Sequence, residues 1–402
     1  MKPSTQPNRL SAFAVTAPGL EPLCAAELAA IGIRGKPQEG GVSWSGTIES
    51  VARANLWLRT ASRVIVRIAE FRATAFFEVE KQARAIRWDR FVAPGSQAEF
   101  RVTCRKSKLY HSDAVAQRFG DALKRGVPGV RVGNADDAAD DESQNTDQQL
   151  FVVRFNRDVC TVSVDTSGAL LHLRGYRQQL AKAPLRETLA AMMLLGARWK
   201  GDTPLADVMC GSGTIPIEAA LIARRMAPGR NRTFAFQRWP AADEKMWTSL
   251  TDDARRGELA KSPVEISGAD RDAGAIVAAR ANAERAGVAA DIMFTEQSIS
   301  ALSHAAPPGL VACNPPYGIR LGESDALRDL YAQLGNVLRR NRPGWTLALL
   351  SADPRLEQQT RLSFTESIRT SNGGIPVRLV VAHVPGPVVE ADVPTHIVSS
   401  TT

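Results

Sequence analysis

Paired cysteines are missing from this sequence. The five present, Cys24, Cys104, Cys160, Cys210 and Cys313, are odd in number and form no C-x-x-C pair. That pattern argues against both a zinc site and a disulfide framework, and no metal is expected. The five are read as reduced, mostly buried small residues. No apolar run approaches the ~18 residues of a membrane span, and the amino terminus shows no hydrophobic core of a secretory signal. A cytoplasmic protein without a membrane partner is therefore expected. Acidic side chains are the minority, 42 against 50 basic, which leaves a net charge of +8. Six of the acids, Asp136, Asp137, Asp140, Asp141, Glu142 and Asp147, crowd into residues 134–149 with no basic residue among them. With no aromatic or β-branched cluster to bury, that stretch is expected to be a disordered loop. The rest of the chain is correspondingly more basic, a balance that suits a polyanionic partner and serves solubility equally well.

At 402 residues with 44% apolar content, the chain exceeds one ordinary domain, and two or three are expected. Its most informative stretch is Asn314-Pro315-Pro316-Tyr317, which follows the apolar run Leu310-Val311-Ala312-Cys313. Two adjacent prolines stiffen the backbone into a non-helical turn that can hold acceptors in place. The exocyclic amine of a purine or cytosine is a poor nucleophile, because its lone pair is delocalised into the ring. An Asn carbonyl and a proline backbone carbonyl can accept its two N–H protons and draw the nitrogen toward a pyramidal geometry, while Tyr317 stacks on the base. By itself the tetrapeptide also fits a plain Pro-Pro loop closing a strand. Earlier, Leu205-Ala206-Asp207-Val208-Met209-Cys210-Gly211-Ser212-Gly213-Thr214 reads as a strand and a small-residue loop opening a helix. Glycines there let a ligand approach the backbone, and the helix start offers free N–H groups. The full dinucleotide fingerprint is absent, since Pro216 stands where a small residue is required. The next strand, Val264 to Ala269, ends in Asp270, whose carboxylate is placed to accept from two ribose hydroxyls.

This ordered series resembles the class I S-adenosylmethionine-dependent methyltransferases, whose NPPY-bearing members methylate exocyclic amines. Leu173-Arg174-Gly175-Tyr176-Arg177, the run from Ala183 to Ala191, DVMCGSGTIPIEAA and NPPYGIRLGE together resemble the bacterial ribosomal RNA guanine-N2 methyltransferases that carry a THUMP domain. The resemblance is strong from about Leu170 to Gly386 and looser before that. It implies an α/β protein: a Rossmann-like methyltransferase domain with a mostly parallel seven-stranded sheet, preceded by α+β ferredoxin-like and THUMP domains. The boundaries expected are 1–70 for the ferredoxin-like domain, 71–168 for THUMP, 169–386 for the methyltransferase and 387–402 for a flexible tail. It further implies S-adenosyl-L-methionine as cofactor, bordered by Asp207, Cys210, Gly211, Gly213 and Thr214, with its ribose at Asp270. Asn314 and Pro315 would bind the target amine, with Pro316 and Tyr317 completing the catalytic turn. Most relatives place an adenine-binding Asp after the third parallel strand; here Ser298 stands instead, and Gln297 or backbone would have to compensate. Cys313 invites a nucleophile reading, but direct amine methylation needs no covalent adduct, so packing is its expected role. The substrate implied is 23S ribosomal RNA, with tRNA as the alternative and a catalytically inactive RNA-binding assembly factor as the reading of another class. A monomer is expected.

Along the chain, Leu10 to Val15, Val42 to Trp44 and Val64 to Ile68 read as strands alternating with helices Leu20 to Ile31 and Ile48 to Leu58, the order of a small ferredoxin-like unit. A helix is expected from Phe76 to Trp88 and a strand from Ala98 to Cys104. That strand runs into a basic loop containing Arg105, Lys106 and Lys108, followed by a helix from Asp113 to Lys124. Strand, basic loop and helix resemble the THUMP module, in which these three side chains would contact RNA phosphates; a merely solvated loop is the alternative. Between Arg224 and Ser262, basic residues alternate with Phe234, Phe236, Trp239 and Trp247, which suits either RNA stacking or anchorage of the segment to its own domain. After the NPPY turn, a helix from Ala326 to Leu338 and strands at Thr346 to Leu350, near Ser363 to Arg369, and at Val377 to Val384 are expected. The last two would form an antiparallel pair that gives the parallel sheet its antiparallel edge.

Overall fold

The computed structural model describes residues 9–134, 148–178, 185–303, 307–317 and 324–386. Most of the acidic stretch and the expected tail from residue 387 lie outside the described residues. In the amino-terminal half the strands are β1 (Leu10–Thr16), β2 (Lys36–Gln38), β3 (Gly41–Gly46), β4 (Ala61–Arg72), β5 (Gln97–Arg105), β6 (Arg131–Asn134), β7 (Gln148–Asn156) and β8 (Val159–Asp165), with helices α1 (Glu21–Ala30), α2 (Ile48–Trp57), α3 (Phe76–Ala85) and α4 (Ser112–Gly126). They build one eight-stranded sheet in the order β2-β3-β1-β4-β8-β7-β5-β6. β4 is the seam, pairing antiparallel with β1 on one side and with β8 on the other. The boundary expected near residue 70 therefore falls inside a strand.

Period-two alternation sends Ala12, Ala14, Val64, Val66, Phe100, Val102, Phe151, Val153 and Phe155 into a core shared with the helices. Trp88 is its keystone, 5.0 Å edge-on to Phe151 and 5.9 Å from Phe100. The helix expected to reach Trp88 ends at Ala85, because Ile86 turns extended and the Trp88 indole donates back to the Ala83 carbonyl at 2.9 Å. The alternate positions face away from this core; Arg101, Arg105 and Arg154 lie among them on the neighbouring strands β5 and β7, and Arg67 on β4, one strand beyond β8.

The carboxy-terminal half contains β9 (Leu205–Asp207), β10 (Ile266–Asp270), β11 (Ile292–Glu296), β12 (Leu310–Cys313), β13 (Thr346–Ser351), β14 (Phe364–Asn372) and β15 (Ile375–His383), with helices α5 (Glu187–Gly196), α6 (Thr214–Ala223), α7 (Glu244–Arg256), α8 (Ala273–Ala286), α9 (Ser324–Asn341) and α10 (Pro354–Gln359). The sheet order is β11-β10-β9-β12-β13-β15-β14. Five neighbouring strands are parallel, and the central ones are covered on both faces, so Leu310 to Cys313 and Leu347 to Leu350 are continuous buried runs, whereas β11 at the edge leaves Met293 exposed. The antiparallel member is β15, and it is not the edge: it sits between β13 and β14, leaving β14 outermost. Strand order reverses at β9 and β12, the switch point where open α/β sheets bind ligands.

The two halves meet through the segment between α6 and β10. Phe234, Phe236 and Trp239 are buried in the amino-terminal core, with the Trp239 ring 5.0 Å from Phe91. The Trp239 indole donates to Gln149 Oε1 at 2.9 Å, and Trp247 packs edge-on against Phe234 and Phe236. Arg230 is paired with Glu258, and Arg232 donates to the carbonyls of Ala169 and Leu170. Of the two roles open for these aromatics, anchorage is the one observed; the anchor reaches the other half of the chain.

A second tie is ionic. Glu218, fully buried on the otherwise apolar α6, lies 3.9 Å from Arg59 and 3.5 Å from Arg174 and accepts from the Tyr176 hydroxyl at 3.1 Å. Arg174 also donates to the Arg59 carbonyl. The Leu173 to Arg177 motif thus joins the two sheets.

Candidate active site

Parallel pairing brings the carboxyl ends of β9, β10, β11 and β12 to one edge, and with them Asp207, Asp270, the Gln297-Ser298 segment and Asn314. Asp207 closes β9 and is only 2% exposed. Its Oδ1 accepts from the Met209 N–H at 3.1 Å. Burial, and to a lesser degree the nearby charge of Asp270, lifts its pKa to about 8 against the opposing Met209 hydrogen bond. A buried carboxylate so poorly compensated is suited to a cation. Cys210 and Cys313 are buried beside it, with thiols pushed well above their ordinary range by desolvation, so neither is a thiolate nucleophile.

The two loop glycines serve different ends. Gly211 has φ +52°, and a Cβ there would meet open space. Gly213 has φ +84°, but its Cβ would lie 2.9 Å from Ala279 Cβ and 3.1 Å from the Phe294 ring. Gly211 therefore leaves its backbone open to close approach, whereas Gly213 lets α6 start against α8 and β11. Pro216 is accommodated by a third glycine on the facing strand: a Cβ at Gly268 would lie 3.1 Å from the Pro216 ring and 2.8 Å from Phe294. The close helix–strand packing of the dinucleotide fingerprint is kept, with the small residue moved to β10. Thr214 opens α6 and is buried.

Asp270 stitches two loops together. Its Oδ2 accepts from the Gly211 N–H at 2.9 Å and its Oδ1 from the Asp272 N–H at 3.0 Å, while Asp272 caps α8. Each carboxylate oxygen keeps acceptor capacity beyond these bonds. The Asp270 carbonyl takes the Gln297 N–H at 2.9 Å, which commits that backbone donor. Ser298 is exposed, with its hydroxyl 2.7 Å from that of Ser300.

At the end of β12, Asn314 is half-buried, Pro315 buried and Pro316 exposed. The Tyr317 hydroxyl donates to Asn314 Oδ1 at 2.5 Å and accepts from Asn372 Nδ2 at 3.1 Å. The expectation gave Tyr317 a stacking role alone, and Asn372 is a partner that the motif does not announce. Arg105, Lys106 and Lys108 are exposed and belong to the other sheet. Their loop is braced on the β7–β8 turn: the Lys108 N–H donates to Asp158 Oδ1 at 2.8 Å and the Asp158 N–H to Ser107 Oγ at 3.0 Å. Among the described residues no group of three or more His, Cys, Asp or Glu could hold a metal, and no helix is long and apolar enough to cross a membrane.

Sequence reasoning misses Arg59, Glu218 and Asn372. A lone carboxylate in the apolar run TIPIEAALIA is the one signal that could have exposed Glu218. Comparison with known proteins adds the family. The RMKL-like methyltransferase domain matches residues 174–380, and the RlmL ferredoxin-like domain residues 11–65. A Synechocystis sp. protein provisionally named an RNA methyltransferase is 33% identical over 92% of this chain and 95% of its own length. The ribosomal RNA large subunit methyltransferase K/L of Syntrophotalea carbinolica is 38% identical over 92% of this chain, which spans about half (53%) of that relative's length. Among solved structures, the provisionally named methyltransferase SMU.472 in complex with SAH superposes with a TM-score of 0.82 at 29% identity, over 95% of this chain and 99% of that one. A Listeria monocytogenes protein named a predicted N6-adenine-specific DNA methylase gives 0.81 at 32%, over 94% and 97%.

Proposed function

This chain belongs to the RMKL-like methyltransferase family and takes its methyl group from S-adenosylmethionine, and from that premise we propose that it methylates the exocyclic N2 amine of a guanine in 23S ribosomal RNA. The observation that carries the reading is the rigid Asn314–Tyr317 turn, at the carboxyl end of β12 beside the switch point at β9. The residues around that point fit the cofactor. Gly211 leaves open space, Asp207 is a buried carboxylate in want of a cation such as the amino-acid ammonium, and Asp270 retains acceptor sites for ribose hydroxyls.

When bound, the cofactor supplies a methyl already activated on a cationic sulfur. The chain's part is alignment: Asn314 Oδ1 and the Pro315 carbonyl accept the two amine protons and aim the nitrogen lone pair. No strong base is needed. A paired guanine hides its amine in the minor groove, so the target is single-stranded or flipped out, at about a few kcal/mol. Phosphate contacts by Arg105, Lys106 and Lys108, on a sheet whose outer face also carries Arg67, Arg101 and Arg154, would offset that cost. RNA is favoured as substrate by the names of the Synechocystis and Syntrophotalea relatives. An adenine amine in DNA is the second reading, favoured by the name of the Listeria protein, because the same turn can hold either amine.

The test is mass spectrometry of rRNA, tRNA and DNA from a deletion strain. One N2-methylguanine should vanish from 23S rRNA and return with the wild-type gene. The Asn314→Ala variant should not restore it, turning over about 100-fold more slowly while binding cofactor normally. Loss of a modified adenine from DNA, or of a guanine from tRNA alone, would refute the substrate; full rescue by Asn314→Ala would refute the site.

A further inference from the structure

Tyr317 is engaged at both ends. Its ring packs half-buried against the core of the second sheet, and its hydroxyl lies between the amides of Asn314 and Asn372. Asn372 is well placed to hold it. It ends β14 and pairs with Ile375 across Gly373-Gly374, whose φ values of +56° and +83° make a tight hairpin turn. The donor sequence runs one way: Asn372 N–H to Tyr317 oxygen, then Tyr317 O–H to Asn314 Oδ1. Desolvation raises the phenol to about 12, so it remains a donor at any working pH.

We propose that Asn372, acting through the Tyr317 hydroxyl, is a positioning residue that fixes the Asn314 amide with its oxygen toward the target amine. The inference rests on the amine-methylation reading of Asn314. A carbonyl oxygen has two acceptor sites; Tyr317 takes one and the incoming N–H would take the other. An Asn314 amide free to turn over would present its own N–H groups instead, two donors facing two donors. The relay removes that orientation.

Turnover and cofactor affinity of the full chain on its RNA substrate test this. Tyr317→Phe keeps the ring and should lower kcat by about tenfold, the order of one lost hydrogen bond, with cofactor Kd unchanged. Asn372→Ala should lower kcat to a similar degree, and the double variant should be no slower than Tyr317→Phe alone, because the relay is one unit. Asn372→Asp is the discriminating substitution. It preserves size, but its carboxylate would accept the Tyr317 hydrogen and draw it off Asn314, so kcat should fall at least as far as in Asn372→Ala. A merely structural Asn372 predicts near-wild-type turnover in Asn372→Asp. That result, or additive losses in the double variant, overturns the relay. If Asn372→Ala does not fold by circular dichroism, Asn372→Ser and Tyr317→Phe make the same comparison. An active Asn314→Ala would sink the amine reading itself; an inactive Asn314→Ala beside a wild-type-like Tyr317→Phe would sink the relay alone.

Discussion

Cofactor binding should be strongly pH-dependent, and Asp207 sets the dependence. In the free protein its pKa is about 8, raised by burial. At pH 6 only about one molecule in a hundred holds it ionised, and at pH 7 about one in eleven. If the ionised form is the one that pairs with the cofactor ammonium, binding must first remove that proton. Affinity should then rise about ninefold between pH 6 and pH 7, equivalent to ~1.3 kcal/mol, and the curve should flatten toward pH 8, where an α-ammonium of about 7.7–8.0 loses its own proton. At pH 7 about 0.9 proton should be released per cofactor bound. Titration calorimetry in buffers of different ionisation enthalpy measures both quantities. Asp207→Asn retains the acceptor for the Met209 N–H but cannot titrate, so its affinity should be low and nearly level from pH 6 to 7.5. Glu187, whose pKa burial lifts to about 7, titrates in the same window and is intact in that variant, so a residual slope would be assigned to it. A wild-type affinity that does not change between pH 6 and pH 8 would refute the pairing of Asp207 with the cofactor.

Asp270→Ala removes the expected ribose acceptor together with two loop bonds, to Gly211 and Asp272; cofactor affinity by calorimetry should fall at least tenfold while RNA affinity holds. The two loop glycines should separate cleanly. Gly213→Ala combines left-handed strain with a 2.9 Å contact and should lose about 2–4 kcal/mol in urea unfolding, whereas Gly211→Ala should lose about 1 kcal/mol and weaken cofactor binding. Replacing Arg105, Lys106 and Lys108 together with Ala should weaken RNA binding and flatten its salt dependence; parallel salt curves without loss of affinity would show that this loop does not touch phosphate.

Much of the carboxy-terminal half is legible because parallel strands covered on both faces must be apolar throughout, so Leu310 to Cys313 and Thr346 to Leu350 stand out. The ends of those strands then carry Asp207, Asp270 and Asn314 in a recognisable order. What the sequence hides is contact between distant segments. Nothing local says that the Cβ of Gly213 would meet Ala279 rather than a ligand, or that Trp239 belongs to the core of the other sheet. β6 is short, polar and at a sheet edge, so it shows no alternation to read. The stripe Met246, Trp247, Leu250, Ala254 in α7 is helically spaced, but it lies in so polar a segment that the helix is easily missed. Glu218 and Arg174 are ordinary charges until three-dimensional packing buries both, and Tyr317 shows only its ring until Asn372 arrives from the β14–β15 hairpin.

The double pairing of β4 has a consequence for synthesis. As the nascent chain emerges, β1, β3 and β4 can pair at once, but the other edge of β4 waits for β8, and everything from Ala73 to Asp158 must be made first. At roughly 5–20 residues per second that is an interval of several seconds with a long strand edge open. Such an edge is a template for pairing with another chain. A ribosome stalled before Val159 would therefore present an incomplete sheet, and newly made chains from crowded polysomes are the population in which strand exchange between copies should first be sought.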